Sequence, residues 1–345
     1  MLIGKGGVLG IDIGTNSIKI VELEEVGTTY KLKNIGEAPI TQGLITNKVI
    51  QNSNVISNIL SSLLEDIGIQ AEDAAVSISG TSVLLKRVSL PAMSSAELKK
   101  SIEWEFEQLN SNGIREFNYD YQVIDSQNSN DRIDVLIVAV NKVIAKQYLS
   151  IISAVGLNPV LIDLDVFSLA TMYQENYPDS EGQIALVNIG ASVTNILILQ
   201  SGEAVFARDL LIGGDVYSHA IMTEMDFTYD QAEEVKHSQS AGFTSPVVDQ
   251  IASDFIKSIS SEIKEATDYY SAAYGQDKVK RIMIGGGTAM LPGLKEMISE
   301  LTQSYVGVLN PFRNIDLRED IFDPEYVEDV SPKMCIAAGL ALNKA

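Results

Sequence analysis

The stretch Asp12-Ile13-Gly14-Thr15-Asn16-Ser17 puts glycine and small hydroxyl residues into one tight turn. Backbone N–H groups of such a turn point into a concavity that suits phosphate oxygens. Lys19, just beyond it, adds a point charge to such a phosphate. Asp12 would repel phosphate directly and is better suited to order Mg2+ through water. A second stretch of the same texture is Asn188-Ile189-Gly190-Ala191-Ser192, in which neutral Asn188 can orient a water but is a weaker partner for a metal. The third element, Ile282-Met283-Ile284-Gly285-Gly286-Gly287-Thr288, reads as a strand running into a triple glycine and then a helix. Its missing side chains let a flat base or a phosphate approach the backbone. It is not a GxGxxG fingerprint, and no GxxxxGK[ST] loop occurs in the chain. A fourth patch combines Arg208, Gly213-Gly214-Asp215 and Ala232-Glu233-Glu234-Val235-Lys236. Glu233 and Lys236, three apart on a helix, share a face and suit a ribose hydroxyl pair and a base edge. Each element also has a plain reading: two ordinary hairpin turns, a packing turn and a solvated salt bridge.

The two hydroxyl-rich turns must be held by strands on both sides. LGIDIGTNSIKIVEL and LVNIGASVTNILIL align without a gap at an offset of 176 residues, placing Asp12 over Asn188 and Gly14 over Gly190. A repeat spaced by half the chain predicts a duplicated two-lobed α/β architecture, with the two hairpins facing each other across a cleft. Between the repeats the texture changes after Val83. Residues 94–109 form an amphipathic helix with Leu98, Ile102, Phe106 and Leu109 on one side, capped by Ser94 or Ser95. Residues 83–163 are expected to be a small inserted unit. The first lobe is then 1–82 with 164–182 and 330–345, and the second 183–329.

Composition removes several function classes. Of 345 residues 25 are Lys or Arg and 46 are Asp or Glu, a net charge of −21. A surface this negative repels phosphate backbones and anionic lipids, so nucleic acid is excluded as a partner. One cysteine and two histidines make neither an internal disulfide nor a recognisable zinc site. No apolar run approaches the ~18 residues of a membrane span, and the start has no signal-peptide core. The expectation is a cytoplasmic protein without direct membrane insertion.

With these elements in order, the chain resembles the actin-like ATPase superfamily. The residues that carry the resemblance are IDIGTNSIK and VNIGASVTN as phosphate loops, DVFSLATMY as the connecting helix and IMIGGGTAMLPG as the adenosine motif. Within the superfamily it is most similar to the PilM family of type IV pilus assembly proteins, relatives of the division protein FtsA. That narrower resemblance rests on SIKIVEL, IEWEFEQ, GGDVYSHA with AEEVK, and SPKMCIAAGLALN. It implies an actin-like two-lobed duplicated fold with an FtsA-type inserted subdomain, and ATP with Mg2+ between the lobes. Gly14, Thr15, Asn16, Ser17 and Lys19 would form the first phosphate loop, and Gly190, Ala191 and Ser192 the second. Glu233 and Lys236 would lie near ribose and base, with Gly214 a further cofactor-binding residue, Gly285, Gly286 and Gly287 at the adenosine, and Asp12 with Asn188 at the metal through water. The implied partner is the N-terminal cytoplasmic peptide of a PilN-like inner-membrane protein, bound beside the inserted subdomain. That contact would recruit the protein to the inner face of the cytoplasmic membrane.

Two departures bear on chemistry. The second phosphate loop of such ATPases usually carries Asp, where this chain has Asn188. At the connecting-helix position where relatives carry Gln or Glu to position water, the match is the shorter Asp165, whose plain alternative is a helix cap. The expectation is ATP binding with slow or absent hydrolysis. Trp104 lies off the apolar stripe of its helix, either exposed beside a peptide groove or packed under a loop. The family's proline turn after that helix is replaced by Asn110-Ser111-Asn112-Gly113. Two other readings are a small-molecule kinase of the same superfamily, for which no acceptor pocket is evident, and an FtsA-like polymerising protein. Against the latter, Asn343-Lys344-Ala345 follow the closing helix without a linker and amphipathic membrane helix.

Overall fold

The computed structural model describes residues 7–46, 48–109, 114–124, 132–178, 182–240, 245–318 and 320–343. The chain opens with three antiparallel strands, β1 (Leu9–Ile13), β2 (Ser17–Val26) and β3 (Thr29–Pro39). A two-residue ribbon follows, β4 (Ile45–Thr46) and β5 (Val49–Ile50). Helix α1 (Ser53–Ile67) is started by Asn52, whose side chain accepts from the Val55 N–H, and stopped by Gly68 in the left-handed region at φ 74°. Strand β6 (Asp73–Ile78) then runs parallel to β1. Next come β7 (Val83–Pro91), α2 (Ser95–Leu109), β8 (Phe117–Ile124), β9 (Arg132–Asn141), α3 (Lys142–Ala154), β10 (Asn158–Leu164) and α4 (Asp165–Asn176). The second half repeats the opening with β11 (Gln183–Ile189), β12 (Thr194–Gln200) and β13 (Glu203–Leu210). Helices α5 (Gly214–Met225), α6 (Tyr229–Ser240) and α7 (Pro246–Tyr274) lead to β14 (Arg281–Gly285), α8 (Leu294–Thr302) and β15 (Tyr305–Val308). The chain finishes with β16 (Ile315–Asp316), α9 (Pro324–Val330) and α10 (Cys335–Leu342).

Sheet order shows the duplication. The first sheet runs β10-β6-β1-β2-β3-β16 and the second β13-β12-β11-β14-β15. Read from the third strand of each lobe inward, β3-β2-β1-β6-β10 and β13-β12-β11-β14-β15 have the same pairing senses, antiparallel twice and then parallel twice. The 176-residue offset is kept in register: Asp12 pairs with Lys19 across β1–β2, and Asn188 with Asn195 across β11–β12. The central strands are buried along their length, as a sheet covered on both faces requires. Helices α4 and α10 fill the space between the lobes, with Leu169, Met172, Ile336 and Leu340 in one core cluster with residues of both sheets.

Sheet membership corrects two expected boundaries. α3 and β10, placed by the sequence in the inserted unit of 83–163, belong to the first lobe. β10 is the fifth strand of its sheet, and Tyr148, Ile151 and Ile152 of α3 pack into the core beneath α1. β16, placed in the second lobe, pairs with β3 of the first. The separate sheet is β7-β9-β8, covered by α2 through Leu98, Ile102 and Phe106. Ser94 and Glu97 start α2 as a reciprocal capping box, the Glu97 carboxylate accepting from the Ser94 N–H at 3.0 Å and Ser94 Oγ from the Glu97 N–H at 3.4 Å. Arg87 fastens this unit to the second lobe. Its guanidinium bonds Asp134 at 2.5 Å and the Val205 carbonyl at 3.1 Å, and lies 4.3 Å over the Tyr274 ring. Trp104 is 58% exposed on α2; the expected turn at Asn110–Gly113 lies outside the described residues.

Candidate functional site

The two hairpin turns face each other at the carboxyl ends of β1 and β11. Each is closed by the same bond: Gly14 N–H to Ser17 O and Gly190 N–H to Val193 O, both at 3.0 Å. A Cβ on Gly14 would come 2.9 Å from the Ser17 carbonyl, and one on Gly190 2.8 Å from the Val193 carbonyl. The turns thus need glycine for close approach. Thr15 Oγ1 and Ser192 Oγ meet across the cleft at 2.6 Å. Asn16 Nδ2 donates to the Tyr229 hydroxyl, which donates to Asp215 Oδ1 at 2.7 Å. Burial first, then Glu233 and Asp215, push the Tyr229 pKa up and keep that proton in place. The enclosed space is about 120 Å3 and is lined by Lys19, Lys48, Lys236 and Lys333 as well as both turns.

The first wall is a network of charges. Lys19 Nζ lies 3.8 Å from Asp12 Oδ2, and Lys48 Nζ lies 4.0 Å from Asp12 Oδ1 and 3.1 Å from Asp165 Oδ2. Asp165 also accepts from Ser77 Oγ and Ser79 Oγ, both at 2.6 Å. Burial opposes ionisation of Asp165, but Lys48 and the two hydroxyls outweigh it, so its pKa lies below the usual carboxylate range. Burial likewise opposes the Lys48 charge, and Asp165 and Asp12 overcome it, so its pKa is raised. Asp165 is 1% exposed and does not line the cleft. The water-positioning role expected for it fails, because both its oxygens are already bonded to Ser77, Ser79 and Lys48. Nor does it cap α4 with its side chain. Ser17 Oγ and Lys333 Nζ each bond Glu37, both at 2.7 Å. Burial raises the Glu37 pKa, but Lys19, Lys333 and Ser17 together bring it below the usual value.

At the matching strand positions the second wall carries two amides and one carboxylate. Asn188 Nδ2 donates to Asn195 Oδ1 at 3.2 Å, and Asn195 Nδ2 donates to Asp209 Oδ1 at 2.8 Å. Asp209 Oδ2 accepts from the Gly80 N–H of the first lobe at 2.6 Å. Burial is the main influence on Asp209 and raises its pKa. Of the glycine triplet, Gly286 and Gly287 line the cleft. Gly286 has φ 93°, and a Cβ there would sit 2.4 Å from the Ile189 carbonyl. A Cβ on Gly287 would meet nothing within 4 Å, so its backbone is open to the cleft. Gly285 is turned the other way, with its Cβ position 3.0 Å from Cys335 Sγ and 3.2 Å from Leu309. Gly285 is therefore a packing glycine. Gly214 sits behind the second turn, donating its N–H to the Gly190 carbonyl at 2.9 Å, with its Cβ position 2.6 Å from Thr288 Oγ1. Glu233 and Lys236 do line the cleft, paired at 2.6 Å, with Lys236 also 3.0 Å from Ser218 Oγ.

The family model described as type IV pilus assembly protein PilM matches residues 10–345. The chain belongs to this family. Among solved structures, a PilM–PilN type IV pilus biogenesis complex superposes with a TM-score of 0.86 at 20% identity, covering 97% of this chain and 98% of the other. The ethanolamine utilization protein EutJ of Carboxydothermus hydrogenoformans gives a TM-score of 0.58 at 15% identity, covering 97% and 89%. MreB5 of Spiroplasma citri, bound to ADP, gives 0.51 at 11% identity, covering 97% and 95%. A cell division protein FtsA of Staphylococcus epidermidis is 26% identical over 202 residues, 52% of this chain and 43% of that protein, so the match spans less than half of that relative. The fold of this PilM-family chain is accordingly the actin-like two-lobed α/β fold.

The PilM-family cleft draws on residues that its motifs do not contain. Lys48 enters from the turn between β4 and β5, at φ 65°, with its carbonyl accepting from the Tyr148 hydroxyl at 3.2 Å. Glu37, Lys333, Tyr229 and Asp209 come from four further segments. None carried a local signal; only Lys333 lay inside a quoted motif, without a role. The donor set of lysines, hydroxyls and glycine turns fits a polyphosphate. No group of three or more Asp, Glu, His or Cys able to hold a metal ion occurs among the described residues. Both Asp12 oxygens face lysines, so Asp12 suits a metal only through water. No helix among the described residues is long and apolar enough to cross a membrane.

Proposed function

We propose that this protein is a nucleotide-dependent scaffold of type IV pilus assembly. ATP would sit between the lobes with its phosphates between the two turns. The observation that carries this reading is the concentration of four lysines around two opposed glycine turns, in a chain of net charge −21. Lys19 and the Gly14 and Gly190 turns would hold the phosphates, Gly286 and Gly287 the adenosine side, and Glu233 with Lys236 the ribose and base. Bound Mg2+ would neutralise phosphate charge, with Asp12 ordering its water shell. Ligand pockets run to about 300–1,000 Å3, so the cleft of about 120 Å3 must widen to admit a nucleotide. Widening separates Thr15 from Ser192 and Asn16 from Tyr229.

Hydrolysis is proposed to be slow or absent. Asp12, Glu37 and Glu233 each face a lysine, and Asn188 and Asp165 are bonded elsewhere. Among the described residues lining the cleft, every carboxylate is thus paired with a lysine. The likeness to a PilM–PilN complex supports the N-terminal peptide of a PilN-like inner-membrane protein as partner, bound beside the β7-β9-β8 unit. That partner would hold the protein at the inner face of the cytoplasmic membrane. The test is to titrate the full chain with ATP and Mg2+, follow phosphate release, and then titrate a synthetic PilN N-terminal peptide with ATP present. Expected are saturable ATP binding, weakened by Lys19→Met and by Lys236→Met, and peptide binding below the millimolar range. Phosphate release at several turnovers per minute would sink the slow-hydrolysis reading, and absent peptide binding the partner reading.

A further inference from the structure

A larger cavity, about 1,020 Å3, lies at the other end of the second lobe's sheet, between that lobe and the end of α4. β11 and β14 run from it towards the cleft: Gln183 and Arg281 line the cavity, Gly190 and Gly286 the cleft. At ~3.3 Å per residue the length of β11 separates the two by roughly 20 Å. Tyr173, Asn176 and Met283 are buried at the cavity's floor, while Lys278, Lys280, Arg281 and Arg313 are exposed at its rim. Four of the chain's 25 basic residues therefore gather in one place, against a single carboxylate among the described residues, Asp277. Among the described residues none of the four has an ion-pair partner. Like charges gathered in one place repel one another, and a bound anion relieves that repulsion. Arg313 is already ordered: its guanidinium stacks 4.8 Å over Tyr177, whose ring stacks on Tyr173 at 4.8 Å and whose hydroxyl accepts from the Asn310 N–H at 3.0 Å.

The rest of the lining separates this site from the phosphate cleft. No glycine turn lines it among the described residues, so it lacks the array of backbone amides that cradles phosphate. Gln200, Gln276 and Asn314 stand there instead, carboxamides offering a donor and an acceptor each, the pattern of a peptide group. We propose that this cavity is a second binding site, for an acidic, extended peptide segment of a protein partner. Carboxylates of the segment would pair with the rim cations, and its backbone with the carboxamides.

The test is fluorescence anisotropy of a labelled oligo-glutamate peptide with the full chain at low salt. Expected is saturable binding that Lys280→Glu with Arg313→Glu weakens about tenfold or more, equivalent to ~1.4 kcal/mol. Lys295→Glu, an exposed lysine on α8 away from the cavity, should leave it unchanged. Inorganic triphosphate should displace the peptide no better than sodium chloride of equal ionic strength. Absent binding overturns the proposal, as does equal weakening by Lys295→Glu, which marks general electrostatics. Selective displacement by triphosphate also overturns it, marking a phosphate site. Since the variants lie far from the cleft, unchanged ATP binding would separate this outcome from failure of the scaffold reading.

Discussion

The two lobes carry the same row of three cross-strand positions beside the cleft and fill it with different chemistry. In the first lobe the row is Asp12, Lys19 and Glu37 across β1, β2 and β3; in the second it is Asn188, Asn195 and Asp209 across β11, β12 and β13. The first row is surrounded by Lys48 and Lys333, so Glu37 and Asp165 are held ionised and their pKa values lie low. The second has amides and one backbone N–H as partners, so burial wins and the Asp209 pKa lies high. Duplication fixed the geometry, and the substituted side chains decided the electrostatics. A lysine-rich wall against an amide-rich one places three of the four cleft lysines on one lobe and removes from the other the carboxylate that would order a metal's water.

Breaking the charged wall should have the largest effect. Asp165→Asn removes the nearer of the two carboxylates facing the buried Lys48 ammonium, leaving Asp12 at 4.0 Å, and should cost about 3–5 kcal/mol in urea unfolding. Making the amide-rich wall resemble the lysine-rich one comes next. With ATP and Mg2+ present, Asn188→Asp should raise phosphate release, by up to the ~10²-fold that one well-placed electrostatic group contributes; an unchanged rate would show that the asymmetry does not limit hydrolysis. The equivalent positions Glu37 and Asp209 sharpen the contrast. Glu37→Gln weakens its bond to Lys333 and should lose about 1.5–3 kcal/mol of stability, whereas Asp209→Asn, which breaks no ion pair among the described residues, should stay within ~1 kcal/mol.

The smallest effect is the most diagnostic, because its sign differs between lobes. A carboxylate with a lowered folded pKa adds stability above its unfolded pKa and loses it as pH falls through the folded value. The deficit of Asp165→Asn should therefore shrink as pH drops below about 4, where unfolded carboxylates protonate. Asp209 does the reverse: above that pH its unfolded form ionises first and favours unfolding. The stability of Asp209→Asn relative to the parent should thus improve as pH rises above about 4, until the folded carboxyl has also ionised. Unfolding curves taken on both sides of about pH 4 check both, and parallel profiles for the two variants would contradict the contrast.

Much of the architecture is local enough to read from the chain. Glycine at 14 and 190, with alternating Ile and Leu on either side, specifies hairpins by steric and pattern rules that need no distant contact. The capping box at Ser94 and Glu97, and the apolar stripe Leu98–Ile102–Phe106, specify α2 in the same way. Where expectation failed, the deciding partner lay far along the sequence. β10 has the composition of a strand in either unit, and only its pairing with β6 assigns it to the first lobe. Gly285 and Gly286 are neighbours of one type, yet Cys335 claims the space at one and the Ile189 carbonyl that at the other.

The sequence by itself determined the duplication, the acidic surface, the two turns and the family, since each depends on residue type and spacing along a single stretch. Tertiary structure decided which charges meet. Lys48, Asp165 and Ser77 are separated by 29 to 117 residues and become one buried network only when β4, β6 and α4 converge. The same folding removed Asp165 from the cleft and gathered Lys278 to Arg313 around a second cavity. Coulomb energy falls with distance and with the dielectric constant between charges, and neither quantity exists for a residue until the chain has folded around it.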